Sequence, residues 1–252
     1  MRRIKLSTEF DRILEKISNN ENFALSRFGD GEMTIINNSP IDLEASKGEF
    51  KFDPNNANHQ HFRLMLEASI KEDLKGYIKG VPCYCCANEN LVNITLGNIK
   101  NKDEITLANV FVNNNIFKIK DFIAELNGRN TVITCDWKAA AIQNPNVPLN
   151  IRNCFRTKGN CIENLHILTQ IAEFISKNHI ENYVFLFFSG PLSNVLVHQL
   201  YKFNDKNTYI DMGSVFDPIF YGKKTRFYHD PNHINCQKIC VMDLLEDKSG
   251  AI

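Results

Sequence analysis

The sequence predicts an α/β fold, a Rossmann-like sandwich in which a mainly parallel sheet is flanked by helices. Three observations lead there. Short apolar strand-like runs alternate with helix-length amphipathic stretches at the spacing of βαβ units. Residues 183–188 form a continuous apolar run, Tyr-Val-Phe-Leu-Phe-Phe, as expected of a strand covered on both faces. Polar, glycine-containing turns recur where strands end, and ligands of open α/β sheets bind at the carboxyl ends of strands.

In chain order, Phe10, Ile13, Leu14 and Ile17 fall at helical spacing over residues 6–19, with residues 7–9 as a cap region. Residues 22–25 read as a short strand, 26–32 as a glycine-bent turn, and Met33 onward as the start of a helix. Residues 38–58 form a long polar loop with room for a short helix beside the presumed site. A helix is predicted over 58–74, with Phe62, Met65, Leu66 and Ile70 on one face, then a strand over 77–82 and a helix over 90–99. Residues 105–112 read as a strand ending at Asn113, residues 116–126 as a helix, and 131–135 as a strand ending at Asp136. Helical periodicity returns over 161–176. The strand at 183–188 then leads through Ser189, Gly190 and Pro191 into a helix over 192–201. A last short strand, 208–211, ends at Met212, Gly213 and Ser214. Neither an internal repeat nor a low-complexity segment appears, and residues 1–252 are expected to form a single domain.

Twenty-nine basic and 29 acidic residues balance to zero, which argues against a nucleic-acid surface. The N-terminus turns charged before a signal-peptide core could form, and no apolar run is long enough for a transmembrane segment. The expectation is a cytoplasmic protein, with peripheral attachment to a membrane left open. Of eight cysteines, Cys83, Cys86, Cys236 and Cys240 form two spaced pairs, but a zinc site built from them would need an unusual spacing. Small buried thiols are the expected reading.

The chemistry concentrates at residues 26–32, Ser-Arg-Phe-Gly-Asp-Gly-Glu. Asp30 and Glu32 flank one glycine, and Gly29 and Gly31 let a ligand approach the backbone. Such a turn suits a divalent cation that grips a phosphate; an N-cap aspartate followed by a first-turn glutamate is the alternative. Arg27 is a candidate phosphate contact, or a salt-bridge partner of Asp30 or Glu32. Ser189 and Gly190 precede a helix N-terminus suited to an anion, or form a plain turn. Asp211 and Asp217 are candidates for an acceptor base or a second metal contact, with Asp217 equally a turn residue before Pro218. Asp136 is a candidate sugar contact or a cap for a helix at Trp137, and Asn113 a candidate reader of a nucleotide or sugar hydroxyl. Residues 221–226 are locally basic, a candidate contact for a diphosphate or an anionic acceptor, with a solvated loop as the alternative. The histidines scatter without a ligand spacing.

The segment Arg27-Phe28-Gly29-Asp30-Gly31-Glu32, after a helix and an apolar strand, resembles the opening motif of the GT-D glycosyltransferases, first catalogued as the domain of unknown function DUF1792. Residues 187–196, Phe-Phe-Ser-Gly-Pro-Leu-Ser-Asn-Val-Leu, look like that family's Leu-Gly-Pro turn and following helix. Tyr209-Ile210-Asp211-Met212-Gly213, with Asp217 beyond, resembles its Ile-Asp-x-Gly strand end. Between about residues 45 and 160 little is similar, and Ser214 stands where the family commonly carries a histidine. The resemblance implies transfer of a sugar, of the hexosyltransferase type, from a nucleotide sugar to a hydroxyl of a glycan, glycoprotein or glycolipid. A UDP-sugar is the expected donor and Mn²⁺, or Mg²⁺, the expected metal. It assigns the family's Asp-x-Glu (DXE) role, holding metal and sugar nucleotide, to Asp30 and Glu32. The rival readings are a phosphotransferase or nucleotide hydrolase using the same acidic turn, and a non-catalytic carbohydrate-binding protein. The absence of a Gly-x-x-x-x-Gly-Lys-Ser/Thr motif disfavours a P-loop enzyme.

Overall fold

The computed structural model describes residues 2–44, 49–139, 149–230 and 232–244. Strand β1 (Arg2–Lys5) runs straight into helix α1 (Leu6–Ser18), whose Phe10, Ile13 and Ile17 form one buried stripe. Strand β2 (Ala24–Arg27) and helix α2 (Asp30–Ile36) follow. The polar stretch after α2 holds a small antiparallel pair, β3 (Ile41–Asp42) and β4 (Lys51–Phe52), before helix α3 (Ala57–Lys71). Then come β5 (Tyr77–Val81), α4 (Glu89–Gly97) and β6 (Ile105–Leu107). A 3₁₀ segment, Asn113–Lys118, leads into α5 (Ile119–Glu125), which is followed by β7 (Asn130–Asp136) and β8 (Asn150–Thr157). The last third supplies α6 (His166–Lys177), β9 (Val184–Phe187), α7 (Pro191–Phe203), β10 (Thr208–Asp211), α8 (Asp217–Tyr221) and β11 (Val241–Leu244).

Seven strands form one sheet in the order β6-β5-β2-β10-β9-β7-β8, and every pairing in it is parallel. This is the α/β sandwich the sequence predicts. Alternate residues of each central strand serve opposite layers, as a pleated strand requires. Phe185, Phe187, Tyr77 and Tyr209 pack with Phe62 and Leu66 of α3, Ile167 and Ile171 of α6, and the apolar residues of α7. Val184, Leu186, Ile78 and Ile210 pack with α1, α5 and α8 on the other side. Tyr209 stacks on Phe185 with ring centres 4.9 Å apart. Helix α7 is buried nearly all round and lies on β2, β9 and β10, so its N-terminus is fixed over the middle of the sheet.

Several elements depart from expectation. Strand β6 stops at Leu107, five residues short, because the chain turns there: Val110 donates to Leu107 O, and Val112 to Asn109 O. Asn113 therefore does not sit at a strand end. Trp137 opens a turn, not a helix, with Lys138 N donating to Asp136 Oδ1 at 2.8 Å. Strand β8 and the antiparallel pair of β1 with β11 are additions to the elements read from sequence. Among the described residues no helix is long and apolar enough to cross a membrane.

Candidate active site

The carboxyl ends of β2, β7, β9 and β10 open into one cleft of about 560 Å³. Its floor carries Asp30, Gly31 and Glu32 after β2, Asp136 at the end of β7, Ser189, Gly190 and Pro191 after β9, and Gly213 and Ser214 after β10. Leu43, Glu49 and Phe50, from the β3–β4 region, form one wall; Asp217, Tyr221, Lys223, Thr225 and Arg226 form another. Lys138, Thr157, Gly159, Cys161 and Phe188 complete the lining.

The acidic turn is shaped by its own helix. Gly29, with extended backbone, is the N-cap of α2, Asp30 the first helical residue and Glu32 the third. Glu32 reaches back so that Gly29 N–H donates to its Oε2 at 2.9 Å, which is the returning half of a capping box. The cap role that sequence allowed for Asp30 thus falls to Gly29 and Glu32. The Asp30 side chain is left exposed in the cleft, without a hydrogen-bond or ion-pair partner among the described residues; its backbone carbonyl accepts from Thr34. Desolvation pushes the Glu32 carboxyl up to about 7, and the charges of Asp211 and Asp30 add to the rise.

Arg27 and Asp211 lie just beneath this floor and do not line the cleft. The backbone N–H of Arg27 donates to Asp211 Oδ2 at 3.2 Å, and its Nε donates to Asp211 O at 2.9 Å. Nη1 donates to Ala108 O at 3.2 Å. The ion-pair partner of Arg27 is therefore Asp211, not Asp30 or Glu32. The pair ties β2 to β10 and to the turn after β6. Burial pushes the Asp211 carboxyl up, against the pull of the Arg27 guanidinium and the Gly213 N–H. Gly213 follows from this packing: with φ of +57°, a Cβ there would lie 2.0 Å from Arg27 Nη2.

The turn after β9 has no carboxylate. Ser189 is buried; its hydroxyl lies 3.0 Å from that of Thr134, and its N–H donates to Ser193 Oγ at 3.0 Å. Gly190 caps α7 with φ of +53° and ψ of −140°, a region open to glycine, and has no side chain to occupy the helix end. Pro191 takes the first helical position, where its missing donor costs nothing. The positive end of a 13-residue helix therefore faces the cleft without a side-chain cap.

Asp217 begins α8 and accepts from the Thr225 hydroxyl; desolvation pushes its carboxyl up, against that hydrogen bond and the Arg226 charge. Arg226 pairs with Glu49 across the cleft, and Lys138 and Lys223 stand exposed at its rim. Ser214 lines the cleft with its hydroxyl against that of Tyr228, while its carbonyl accepts from His229 Nε2 at 2.8 Å. That donation follows because His229 Nδ1 accepts from the backbone N–H groups of Thr225 and Arg226.

The structure thus brings Asp30, Glu32, Gly31, Ser189, Gly190, Asp217 and Asp136 into one cleft, with Gly29 at the base of the acidic turn. Arg27 and Asp211 are placed beneath it. Asn113 is not brought there at all: it is buried against cysteine sulfurs on another part of the molecule. Phe50 and Glu49 escaped sequence reasoning. Their only signal was the length of the polar loop that carries them.

No family model and no curated protein matches this chain. Solved structures do. A glycosyltransferase (DUF1792) from Streptococcus sanguinis superposes with a TM-score of 0.57 at 15% identity, covering 97% of this chain and 94% of that one. A second structure, described as showing that the highly conserved domain of unknown function 1792 has a distinct glycosyltransferase fold, gives 0.57 at 14% identity over 83% of this chain and 79% of its own. A selenomethionine-substituted DUF1792 structure gives 0.56 at 14% identity, over 82% and 77%. Similarity at this identity is one of fold, and it spans the central sheet together with its flanking helices. The chain has the fold of the DUF1792 domain, a glycosyltransferase fold of the GT-D type.

Proposed function

We propose that the protein is a metal-dependent glycosyltransferase that moves a hexosyl group from a nucleotide sugar to a hydroxyl of a glycan, glycoprotein or glycolipid. The observation that carries this reading is the electrostatic contrast across β10: the open carboxylate of Asp30 on one side, the uncapped N-terminus of α7 on the other. Breaking an anomeric bond to a diphosphate sends negative charge onto the departing phosphate. The end of α7 offers that charge the positive end of its dipole. Lys223 and Arg226 add cationic side chains at the rim.

Hard divalent cations take oxygen ligands, and Mg²⁺ is commonly held by one or two carboxylates plus substrate phosphates. Asp30, whose carboxylate has no partner among the described residues, and Glu32, with Oε1 outside its hydrogen bond to Gly29, fit that donor set for Mn²⁺ or Mg²⁺. A bound cation supplies Lewis-acid stabilisation of the diphosphate. Asp217 is assigned as the base toward the acceptor hydroxyl, since it lines the same cleft and its desolvated carboxyl holds a proton more readily than a solvated one. Arg27 and Asp211 act as positioning residues, holding the acidic turn against β10. The cleft volume lies in the range of small-molecule sites, and UDP is the nucleotide expected.

Thermal stability is measured with UDP and GDP, each with and without Mn²⁺, on the full chain and on Asp30→Ala. Stabilisation by UDP that requires Mn²⁺ and is lost in Asp30→Ala is expected, together with slow release of free sugar from a UDP-sugar. Absence of any nucleotide response, or a response that Asp30→Ala leaves unchanged, overturns the assignment. Hydrolysis of a nucleoside triphosphate with no turnover of nucleotide sugars points to the phosphotransferase reading instead.

A further inference from the structure

Four cysteines meet at one point outside the cleft. Cys83, Cys85 and Cys86 come from the loop after β5, and Cys240 immediately precedes β11. Their Sγ atoms all lie within 4.8 Å of one another. The Cys83–Cys85, Cys85–Cys86 and Cys86–Cys240 sulfurs are 3.1, 3.8 and 3.6 Å apart. Four sulfurs about 2.3 Å from a tetrahedral Zn²⁺ stand about 3.8 Å from one another, so the cluster has the dimensions of such a shell. A tight turn makes this possible: the N–H groups of Cys86 and Ala87 both donate to Cys83 O at 3.0 Å. Cys83 and Cys240 are buried, as expected of the cysteines, whereas Cys85 and Cys86 are exposed. The cluster replaces the pairing suggested by spacing. Cys85 joins the group, whereas Cys236 turns away, its Sγ 3.1 Å from Asp230 O.

A second observation is independent of the sulfur geometry. The amide Nδ2 of Asn109 lies 3.1 Å from Cys240 Sγ and 3.6 Å from the Sγ atoms of Cys83 and Cys86. Nδ2 of Asn113 lies 3.4 Å from the Sγ atoms of both Cys86 and Cys240. Asn113 is buried and holds φ of +53°, a conformation that asparagine tolerates better than most residues. Two amides donating to the same sulfurs form an environment made for thiolate, as the outer hydrogen bonds of metal centres do. Lys238 adds a cation close by, its Nζ 3.5 Å from Cys85 O.

The geometry points to a structural zinc centre in which Cys83, Cys85, Cys86 and Cys240 together bind one Zn²⁺. Soft thiolates in a tetrahedral set select zinc or iron over the hard cations expected in the cleft. The close mutual spacing of the sulfurs suits a single ion better than an iron–sulfur cluster, whose ligands stand around a larger body. Binding forms four Zn–S bonds and releases four protons from four thiols, with no change of oxidation state. All four positions are filled by protein, so the centre holds structure and leaves no open site for chemistry. It fastens the segment before β11, and through β11 the N-terminal strand β1, to the loop after β5.

The test is elemental analysis of the full chain purified under reducing conditions without chelator. One zinc per chain is expected, with most of it lost in Cys85→Ser and Cys86→Ser, whose exposed positions spare the fold, and in Cys240→Ser. Cys154→Ser, at a cysteine outside the cluster, keeps it. Replacement by Co²⁺ is expected to give the intense visible bands of a tetrahedral cobalt thiolate, and chelation to lower Tm by several degrees. Absence of metal after reconstitution with zinc, or zinc retained in both Cys85→Ser and Cys86→Ser, overturns the proposal. So does a peptide map of the non-reduced protein that finds disulfides among Cys83, Cys85, Cys86 and Cys240.

Discussion

The turn after β2 and the turn after β9 use one backbone device to opposite electrical ends. Each leaves a parallel strand, bends at glycine, starts a helix, and flanks β10. At the first, Glu32 satisfies the Gly29 N–H and Asp30 adds a second carboxylate, so the positive helix end is covered by acid. At the second, the cap is a bare glycine and the positive end stays open. Phe50 touches both: a Cβ on Gly31 would meet its ring at 2.8 Å, and one on Gly190 at 3.8 Å. Side chains, not topology, decide whether a strand-end turn favours a cation or an anion.

The largest expected effect breaks the contrast at its acidic half. Asp30→Asn should lower transfer activity about 100-fold or more, the scale of several kcal/mol of lost charge stabilisation, while Ser189→Ala, whose hydroxyl is spent on Thr134, should cost less than about tenfold. Steady-state assays at saturating Mn²⁺ on both variants check this. Next comes Gly190→Ala. A Cβ there makes only ordinary contacts with Cys161 and Phe50, so the cost is the backbone itself, about 1–3 kcal/mol, read as a lower urea midpoint with unchanged m.

The third prediction concerns protons. Folding raises the Glu32 carboxyl from its ordinary 4.5 to about 7, so between those values the folded protein holds more protons than the unfolded chain. That stability is fully present below the ordinary value and is lost as pH rises through about 7. Asp211 and Asp217 are shifted in the same direction. Burial lowers His198 and His229, which acts the other way and favours folding at the higher pH. The Glu32 contribution is therefore read as a difference: Glu32→Gln, which can keep the reach back to Gly29, should lose Tm relative to the unsubstituted metal-free protein at pH about 5 compared with pH about 8. The smallest effect is expected from Gly31→Ala. Alanine favours the helix by about 1 kcal/mol, but its methyl must displace the far end of the Phe50 ring. Tm should move little while KM for the nucleotide sugar rises.

Much of this contrast was legible in the sequence, because both turns follow strands whose apolar runs are unmistakable. Residues 183–188 announce β9, and the Asp-Gly-Glu turn announces itself chemically. What sequence obscured has physical causes. Strand β8 is a half-exposed edge strand, and its residues, Asn-Ile-Arg-Asn-Cys-Phe-Arg-Thr, lack a buried strand's continuous apolarity. Arg27 looked like a ligand contact because its partner, Asp211, is 184 residues away. Asn113 looked like a site residue because β-branched residues beyond Leu107 imitate a longer strand. Cys240 finds Cys86 across 154 residues, beside the pairing of β1, Arg-Arg-Ile-Lys, with β11, Val-Met-Asp-Leu, strands of four residues too short to be read as such from sequence. No local spacing encodes such a meeting.

The place of β10 in the sheet has a consequence for synthesis of the chain. Strand β2 leaves the ribosome well before β10, with 184 residues between Arg27 and Asp211, yet β10 is one of its two neighbours. Until residues 208–211 emerge, β2 has a bare flank of unpaired N–H and C=O groups, and Arg27 has no carboxylate to meet. Such an edge invites pairing with the wrong strand, and parallel pairing at long range forms slowly. Chains cut short before Asp211 should therefore aggregate, because the middle of the sheet is the last part to close.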